Sequence, residues 1–418
     1  MALYTHQLEI IRDDKPKTGL FMGTGSGKTL TALSLARGNT LVICPKTQFE
    51  DQNWTKELDK NQIPLLLTTI SKETFRRDWG SLPRFDTIIC DEAHTLCGVT
   101  PNIRWKNKKP IPKTSQLFEA LDSYLQKTKP SRFYLCTATI IRSPMTVWGA
   151  SKLLGYSWDF YKFRDRFYFR LPMPGREVWM VKSDDETKDY LASLVCKLGY
   201  TGRLEDYFDV PEQTYKTDYI ELTPKQKQRI KDLKLEFPEP LVRVGKIHQV
   251  ENGILSGDEF NAPEHFDNGK LDKLEDYALE FPKMIVFAKY TAQIDQIAAK
   301  MLTMGKKVFI LDGRTKDRGA LLDGAKQATE YVFVAQSHVC SCWALPDCPV
   351  MIFASRTYSF VDADQSLGRI QRANNLKKNL YIYLVVKGGV DEAVDKCLKE
   401  KKDFNDRIYV ERIWFRDI

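Results

Sequence analysis

Along the 418 residues, short apolar runs alternate with stretches whose apolar residues recur three and four positions apart. The runs read as strands and the stretches as amphipathic helices, and such alternation argues for parallel sheets with helices on both faces. Runs at 19–22, 41–44, 65–69, 87–90 and 132–136 predict one set of strands, and runs at 284–287, 308–311, 331–334, 350–354 and 379–386 predict a second. The expected fold is α/β, with two mostly parallel sheets of similar size in tandem. Between them, 144–212 is rich in aromatic and charged residues and lacks a regular strand series, so a helical brace or linker is expected there. The expected domains are 1–143, 144–212 and 213–418.

Two stretches read as loops. Residues 104–113, RWKNKKPIPK, combine Arg104, Lys106, Lys108, Lys109 and Lys113 with two prolines, which suits a solvated loop or, alternatively, an arm touching phosphates. Residues 257–269 carry turn chemistry and little periodicity, so they are expected on the surface. Trp105, Trp148 and Trp158 are expected in the core rather than as a wedge.

Composition changes this picture little. A chain of this length holds about two or three domains, and its 43% hydrophobic share is enough for real cores. The net charge of +8, from 63 basic and 55 acidic residues, permits a polyanionic partner without requiring one. Nine scattered cysteines suit a reducing compartment, and the spacing of His338, Cys340, Cys342 and Cys348 matches none of the familiar zinc pairs. No apolar run reaches the ~18 residues a membrane span needs, and the N-terminus lacks a signal-peptide pattern. A cytoplasmic protein is expected, without membrane contact.

Chemistry enters at three motifs. GTGSGKT, residues 23–29, follows an apolar run and leads into TLTALSLA, whose apolar residues have helical spacing, so strand, glycine turn and helix follow one another. Such a turn offers backbone N–H groups and a helix N-terminus to phosphate oxygens. Gly25, Ser26 and Gly27 would cradle them, Lys28 would reach the terminal phosphates, and Thr29 would hold magnesium. Met22 stands where the general pattern has a glycine. The second motif, IICDEAH at 88–94, ends an apolar run in two adjacent carboxylates. Asp91 can hold magnesium through water, and Glu92 can orient and deprotonate an attacking water. The third, QSLGRIQR at 365–372, spaces Gln365, Arg369 and Arg372 so that a helix would put them on one face, where a guanidinium can neutralise charge on a transferred phosphoryl group. Each motif alone also fits a bland reading: a glycine turn, a solvated acidic pair, a basic helix face. Their order together describes an ATP-driven motor.

The chain resembles the superfamily two helicases, and within them the Swi/Snf-type double-stranded DNA translocases, over most of its length. LYTHQ at 3–7 is similar to the family's adenine-recognition element, which implies a base contact from Gln7. VICP at 42–45 and TTISKE at 68–73 stand where the family has nucleic-acid contacts, implying such roles for Pro45, Lys46 and Thr69, with Lys289 in the second half. CTATI at 136–140 resembles the motif that couples hydrolysis to movement, implying that role for Thr137 and Thr139, together with His94 of the acidic motif. Residues 209–226, 269–277 (GKLDKLEDY), 284–295 and 311–318 follow the order of the Swi/Snf-type branch. The branch's glycine-rich stretch is replaced here by AQSHVCSCWALPDCP.

The resemblance implies two RecA-like lobes with ATP and magnesium bound between them, and a compact motor of phage, viral or bacterial kind. Its track would be duplex, forked or branched DNA in replication, recombination or repair, with single strands as a further substrate. An RNA helicase, an ATP-gated binding switch that moves nothing, and the motor subunit of a restriction system are the competing readings.

Overall fold

A computed structural model of the chain describes residues 3–400, apart from 107, 174–175, 183, 258–261, 340–342 and 371–376. The backbone divides into two units, Met1–Asp209 and Val210–Ile418. The first runs α1 (Thr5–Asp13), β1 (Lys17–Met22), α2 (Lys28–Leu35), β2 (Asn39–Cys44), α3 (Lys46–Glu50), α4 (Asn53–Lys60), β3 (Leu66–Ser71), α5 (Lys72–Asp78), β4 (Thr87–Asp91), β5 (Val99–Lys106) and β6 (Lys109–Thr114). It continues with α6 (Gln116–Thr128), β7 (Arg132–Cys136), α7 (Pro144–Leu153), α8 (Phe160–Phe167), β8 (Tyr168–Met173), β9 (Arg176–Val181), α9 (Asp185–Leu198) and β10 (Gly199–Gly202).

Six of these strands form one parallel sheet in the order β10-β1-β7-β4-β2-β3. Alternate residues feed two cores. Phe21, Ile43, Ile88 and Leu135 pack on one face, and Leu20, Val42, Ile89 and Tyr134 on the other, which is why the strands read as unbroken apolar runs. Several helix starts are set by short polar side chains: Ser71, Ser115 and Ser143 each accept a backbone N–H three residues on, and Pro144 then fixes the first turn of α7.

The second unit carries β11 (Thr214–Ile220), α10 (Pro224–Glu236), α11 (Pro240–Glu251), β12 (Ile254–Leu255), β13 (Glu264–His265), α12 (Gly269–Glu280), β14 (Lys283–Ala288), α13 (Thr291–Thr303), β15 (Val308–Leu311) and α14 (Arg318–Gln327). After these come β16 (Tyr331–Gln336), β17 (Val350–Phe353), α15 (Phe360–Leu367), β18 (Leu380–Val386) and α16 (Val390–Lys399). Its sheet is also parallel and six-stranded, in the order β11-β18-β17-β14-β16-β15, again with a core on each face. Both units are thus RecA-like α/β lobes, and all ten strands expected from the apolar runs form.

The differences lie in the other strands. Segment 144–212 contributes α7, α8, α9, the antiparallel hairpin β8–β9 and the edge strand β10. In β10 the sequence GYTG has no apolar run to announce it, and a Cβ on Gly199 would collide with the Gly19 carbonyl of β1, so only glycine permits this pairing. Residues 104–113 are not a loop: they belong to the antiparallel hairpin β5–β6, in which Trp105 pairs with Pro110 and Lys106 with Lys109. Trp148 and Trp158 do pack with the core, whereas Trp105 is 71% exposed.

The second unit seals a polar cluster inside. The Lys270 ammonium donates to Asn252 Oδ1 (2.7 Å), the Ala354 carbonyl (2.7 Å) and the Asp391 carboxylate, while His248 Nε2 lies 2.9 Å from Asp391 Oδ1. Glu251 accepts the Val390 and Asp391 amides at 2.9 Å each, capping α16. One cluster therefore pins α11, α12, α16 and the end of β17 together.

Candidate active site

Strand register brings the first two motifs together. Leu20 of β1 and Asp91 of β4 both pair with Cys136 of β7, which lies between them, so the glycine turn after β1 and the carboxylates ending β4 emerge at the same end of the sheet. That is the C-terminal strand edge, where open α/β sheets place their ligands. The Thr137 amide, next beyond Cys136, donates to the Leu20 carbonyl at 3.2 Å and keeps the three strand ends level.

In the glycine turn, Gly25 and Gly27 have φ of 83° and 84°, a left-handed backbone that glycine adopts without strain. The N-terminus of α2 has no side-chain cap, so its first-turn N–H groups are presented to the turn. The Lys28 ammonium folds back onto the Met22 and Gly23 carbonyls at 2.8 and 2.9 Å, and Ser26 Oγ donates to the Gly23 carbonyl at 2.7 Å. Thr29 follows, half-buried in the first turn of α2. Gln7 is fully buried behind the turn. Its amide donates to the Gly27 carbonyl (3.1 Å) and Thr31 Oγ1 (3.2 Å) and accepts the Tyr4 amide, and a Cβ on Gly27 would strike it. The adjacent His6 bonds the Ser26 carbonyl at 3.0 Å and stacks on Tyr207. The structure therefore uses Gln7 as a brace for the turn.

The two carboxylates have contrasting surroundings. Burial, helped by the charge of Glu92, pushes Asp91 up to about 6, even though Lys72 and the Trp54 indole N–H (3.3 Å) pull the other way. For Glu92 burial pushes up as well, but the His94 hydrogen bond and the charges of His94, Lys28 and Lys72 outweigh it and hold the group below its ordinary value. Glu92 also has φ 44° and ψ 54°, a left-handed conformation that costs a non-glycine residue about 1–2 kcal/mol. Lys72 holds it there, donating to the Glu92 carbonyl at 2.9 Å and to Thr95 Oγ1 at 2.7 Å. His94 Nδ1 lies 3.0 Å from Thr137 Oγ1 and 3.4 Å from Glu92 Oε2, and Thr137 Oγ1 also accepts the Thr139 amide, so His94, Thr137 and Thr139 form one chain ending on Glu92. The Thr139 hydroxyl is buried and has no hydrogen-bond partner among the described residues.

Lys72 and Trp54 were not among the expected site residues. Lys72 lies inside the TTISKE motif, where only Thr69 is singled out; Ser71 caps α5, and Lys72, the first residue of that helix, is buried. Trp54 sits on an ordinary amphipathic helix, and only the fold reveals its partner.

The remaining expected residues are more dispersed. In the first unit Pro45 stands just before α3, Lys46 is exposed and paired with Glu50 at 3.5 Å, and Thr69 is half-buried on the edge strand β3. In the second unit Lys289 lies over the Tyr358 ring, 2.9 Å from its centroid, and Tyr358 in turn bonds His248 at 3.0 Å. Gln365 is buried in α15. The helix stops at Leu367 with Gly368 as its cap, so Arg369 lies in the following turn and the expected continuous helical face is broken. Arg369 is buried and donates to the Trp343 and Gln365 carbonyls at 2.8 Å each. Arg372, Cys340 and Cys342 lie outside the described residues. Cys348 is a buried thiol, pushed up to about 12 by burial, and bonds the Val350 carbonyl.

These residues fit a nucleoside triphosphate and a divalent cation: an uncapped helix N-terminus behind two left-handed glycines for phosphate oxygens, Lys28 for the terminal phosphates, and Thr29 with Asp91 as oxygen donors for magnesium.

No protein-family model matches the chain, and no curated protein matches it. Among solved structures, the SWI2/SNF2 ATPase core of Sulfolobus solfataricus in complex with double-stranded DNA is similar, with 17% identity, coverage of 96% of this chain and 91% of that one, and a TM-score of 0.39.

Proposed function

We propose that the chain is an ATP hydrolase that drives movement along DNA. The observation that carries this reading is the strand register that sets the uncapped glycine turn with Lys28, the pair Asp91–Glu92, and Thr137 at one end of one sheet. Bound ATP with magnesium supplies the phosphoryl group to be transferred and the cation that polarises it. Lys28 and the first-turn amides of α2 hold the phosphates, and Thr29 and Asp91 hold magnesium. Glu92, ionised at neutral pH, orients a water and takes its proton, while Lys72 and the left-handed backbone aim the carboxylate. His94 and Thr137 link Glu92 to the backbone beyond β7 and so carry its state toward Thr139. In the second unit, Arg369 and Arg372 supply cationic charge during turnover.

DNA as the track follows from the sequence resemblance to the Swi/Snf-type branch, with duplex or forked DNA as its substrate in replication, recombination or repair. Steady-state ATPase activity, measured alone and with duplex, single-stranded, forked DNA and RNA at a stated salt concentration, tests the reading. Stimulation by duplex or forked DNA is expected. Stimulation by RNA alone would replace DNA with RNA as the track, and a rate indifferent to every nucleic acid would leave a switch.

A further inference from the structure

The hairpin β5–β6 has no part in the site described above, yet much of its outer part is exposed. Its base is anchored: Val99 is buried in the core, the Ser115 amide closes onto the Gly98 carbonyl at 2.8 Å, and Glu119 accepts Arg104 at 2.5 Å and Thr114 Oγ1 at 2.6 Å. A register shift between Val99 and Ile103 bends the strand as it leaves the body. Beyond it most side chains are exposed. Trp105 is 71% accessible and shares a face with Ile103, at 38%, while the cross-strand pair Lys106 and Lys109 points to the other face with Lys113, and Lys108 lies in the turn between the strands, all four lysines being exposed. From Ala93 to Phe118 there is no aspartate or glutamate, and none of these four lysines has a carboxylate partner among the described residues. Tyr161 of α8, itself partly exposed, reaches the Pro110 carbonyl at 3.4 Å and extends the aromatic surface.

An exposed indole at the end of a narrow two-stranded hairpin, whose four lysines have no carboxylate partner among the described residues, does not suit an apolar protein partner, because burying the hairpin there would strand those charges. It suits a polyanion whose units carry flat apolar faces. We propose that this hairpin is a single-strand contact: an unpaired DNA base stacks on Trp105 while Lys106, Lys108 and Lys109 hold the flanking phosphates. Phosphates give affinity and the aromatic face selects strands whose bases are free to stack, so the hairpin distinguishes single-stranded or forked DNA from blunt duplex. This deepens the reading of the chain as a DNA motor and rests on it.

The test compares the whole wild-type chain with Trp105→Ala, Trp105→Phe and the triple variant K106S/K108S/K109S, using fluorescence anisotropy with a labelled single strand, a fork and a blunt duplex, and DNA-free ATPase activity as a control. Loss of one stacked base weakens single-strand and fork binding by about tenfold in Trp105→Ala, with duplex binding unchanged and Trp105→Phe largely restored. The triple variant lowers the salt dependence of single-strand binding by a slope of about 2, since each phosphate contact contributes about 0.7. Unchanged melting temperature and basal ATPase activity show that the fold is intact, as exposure of all four side chains predicts. Wild-type affinity of Trp105→Ala for the single strand and fork overturns the proposal, and so does a wild-type chain that binds no single strand. Failure of the motor reading shows separately, as a wild-type ATPase that no DNA stimulates.

Discussion

Asp91 and Glu92 are neighbours in the chain with opposite electrostatic fates, and this division assigns their work. Burial raises Asp91 to about 6, while Glu92 is held ionised by His94, Lys28 and Lys72. If Asp91 holds magnesium as proposed, the metal competes with a proton there as pH falls through about 6. The magnesium concentration for half-maximal ATPase activity should rise several-fold between pH 7.5 and 5.5, and Asp91→Asn should abolish that pH dependence together with most of the activity. Glu92→Gln should keep ATP binding and lose turnover by about 100-fold or more, the scale of one general base. Equilibrium nucleotide binding and single-turnover hydrolysis check this pair, and wild-type turnover in Glu92→Gln would remove Glu92 from the base role. The acidic pair and the glycine turn were legible from sequence because their chemistry demands particular residue types at fixed spacing. The inward turn of Lys72 and the contacts of Gln7 behind the glycine turn were not legible, because whether a polar side chain turns outward or inward depends on the cap and the strand end beside it.

At the scale of elements, ten strands could be read from apolar runs because parallel strands covered on both faces bury nearly every residue in the middle of the sheet, and the edge strands β3 and β15 keep apolar runs although they are partly exposed. Strand β10 and the hairpin β5–β6 escaped for the opposite reason. One depends on close backbone approach at Gly199, and the other carries lysines and prolines that pattern as a loop. The cluster joining α11, α12 and α16 was equally hidden, since no spacing rule links Lys270 to Asp391. Breaking that buried pair from one side should be costly. Asp391→Asn strands the Lys270 ammonium in the interior and should lower unfolding stability by about 3–5 kcal/mol, whereas Lys270→Met combined with Asp391→Asn should recover part of the loss. Linkage gives the acid limb. Lys270 and His248 hold the Asp391 carboxyl below its ordinary range against the pull of burial, so its contribution is present above pH ~4 and is lost as pH falls below that value. Urea denaturation at pH 7 and pH 3.5 measures both effects, and a stability in Asp391→Asn equal to wild type would show that the pair contributes nothing net.

At the scale of the whole molecule, the chain carries two similar parallel-sheet lobes, and its net charge of +8 permits the polyanionic track proposed above. No helix among the described residues is long and apolar enough to cross a membrane. The central claim is that ATP hydrolysis moves this chain along DNA, and displacement of a short third strand from a DNA triplex measures that movement without requiring the duplex to open. ATP-dependent displacement by wild type, absent in Glu92→Gln and with a non-hydrolysable nucleotide, is the predicted result. A duplex-stimulated ATPase that leaves the third strand in place would contradict it.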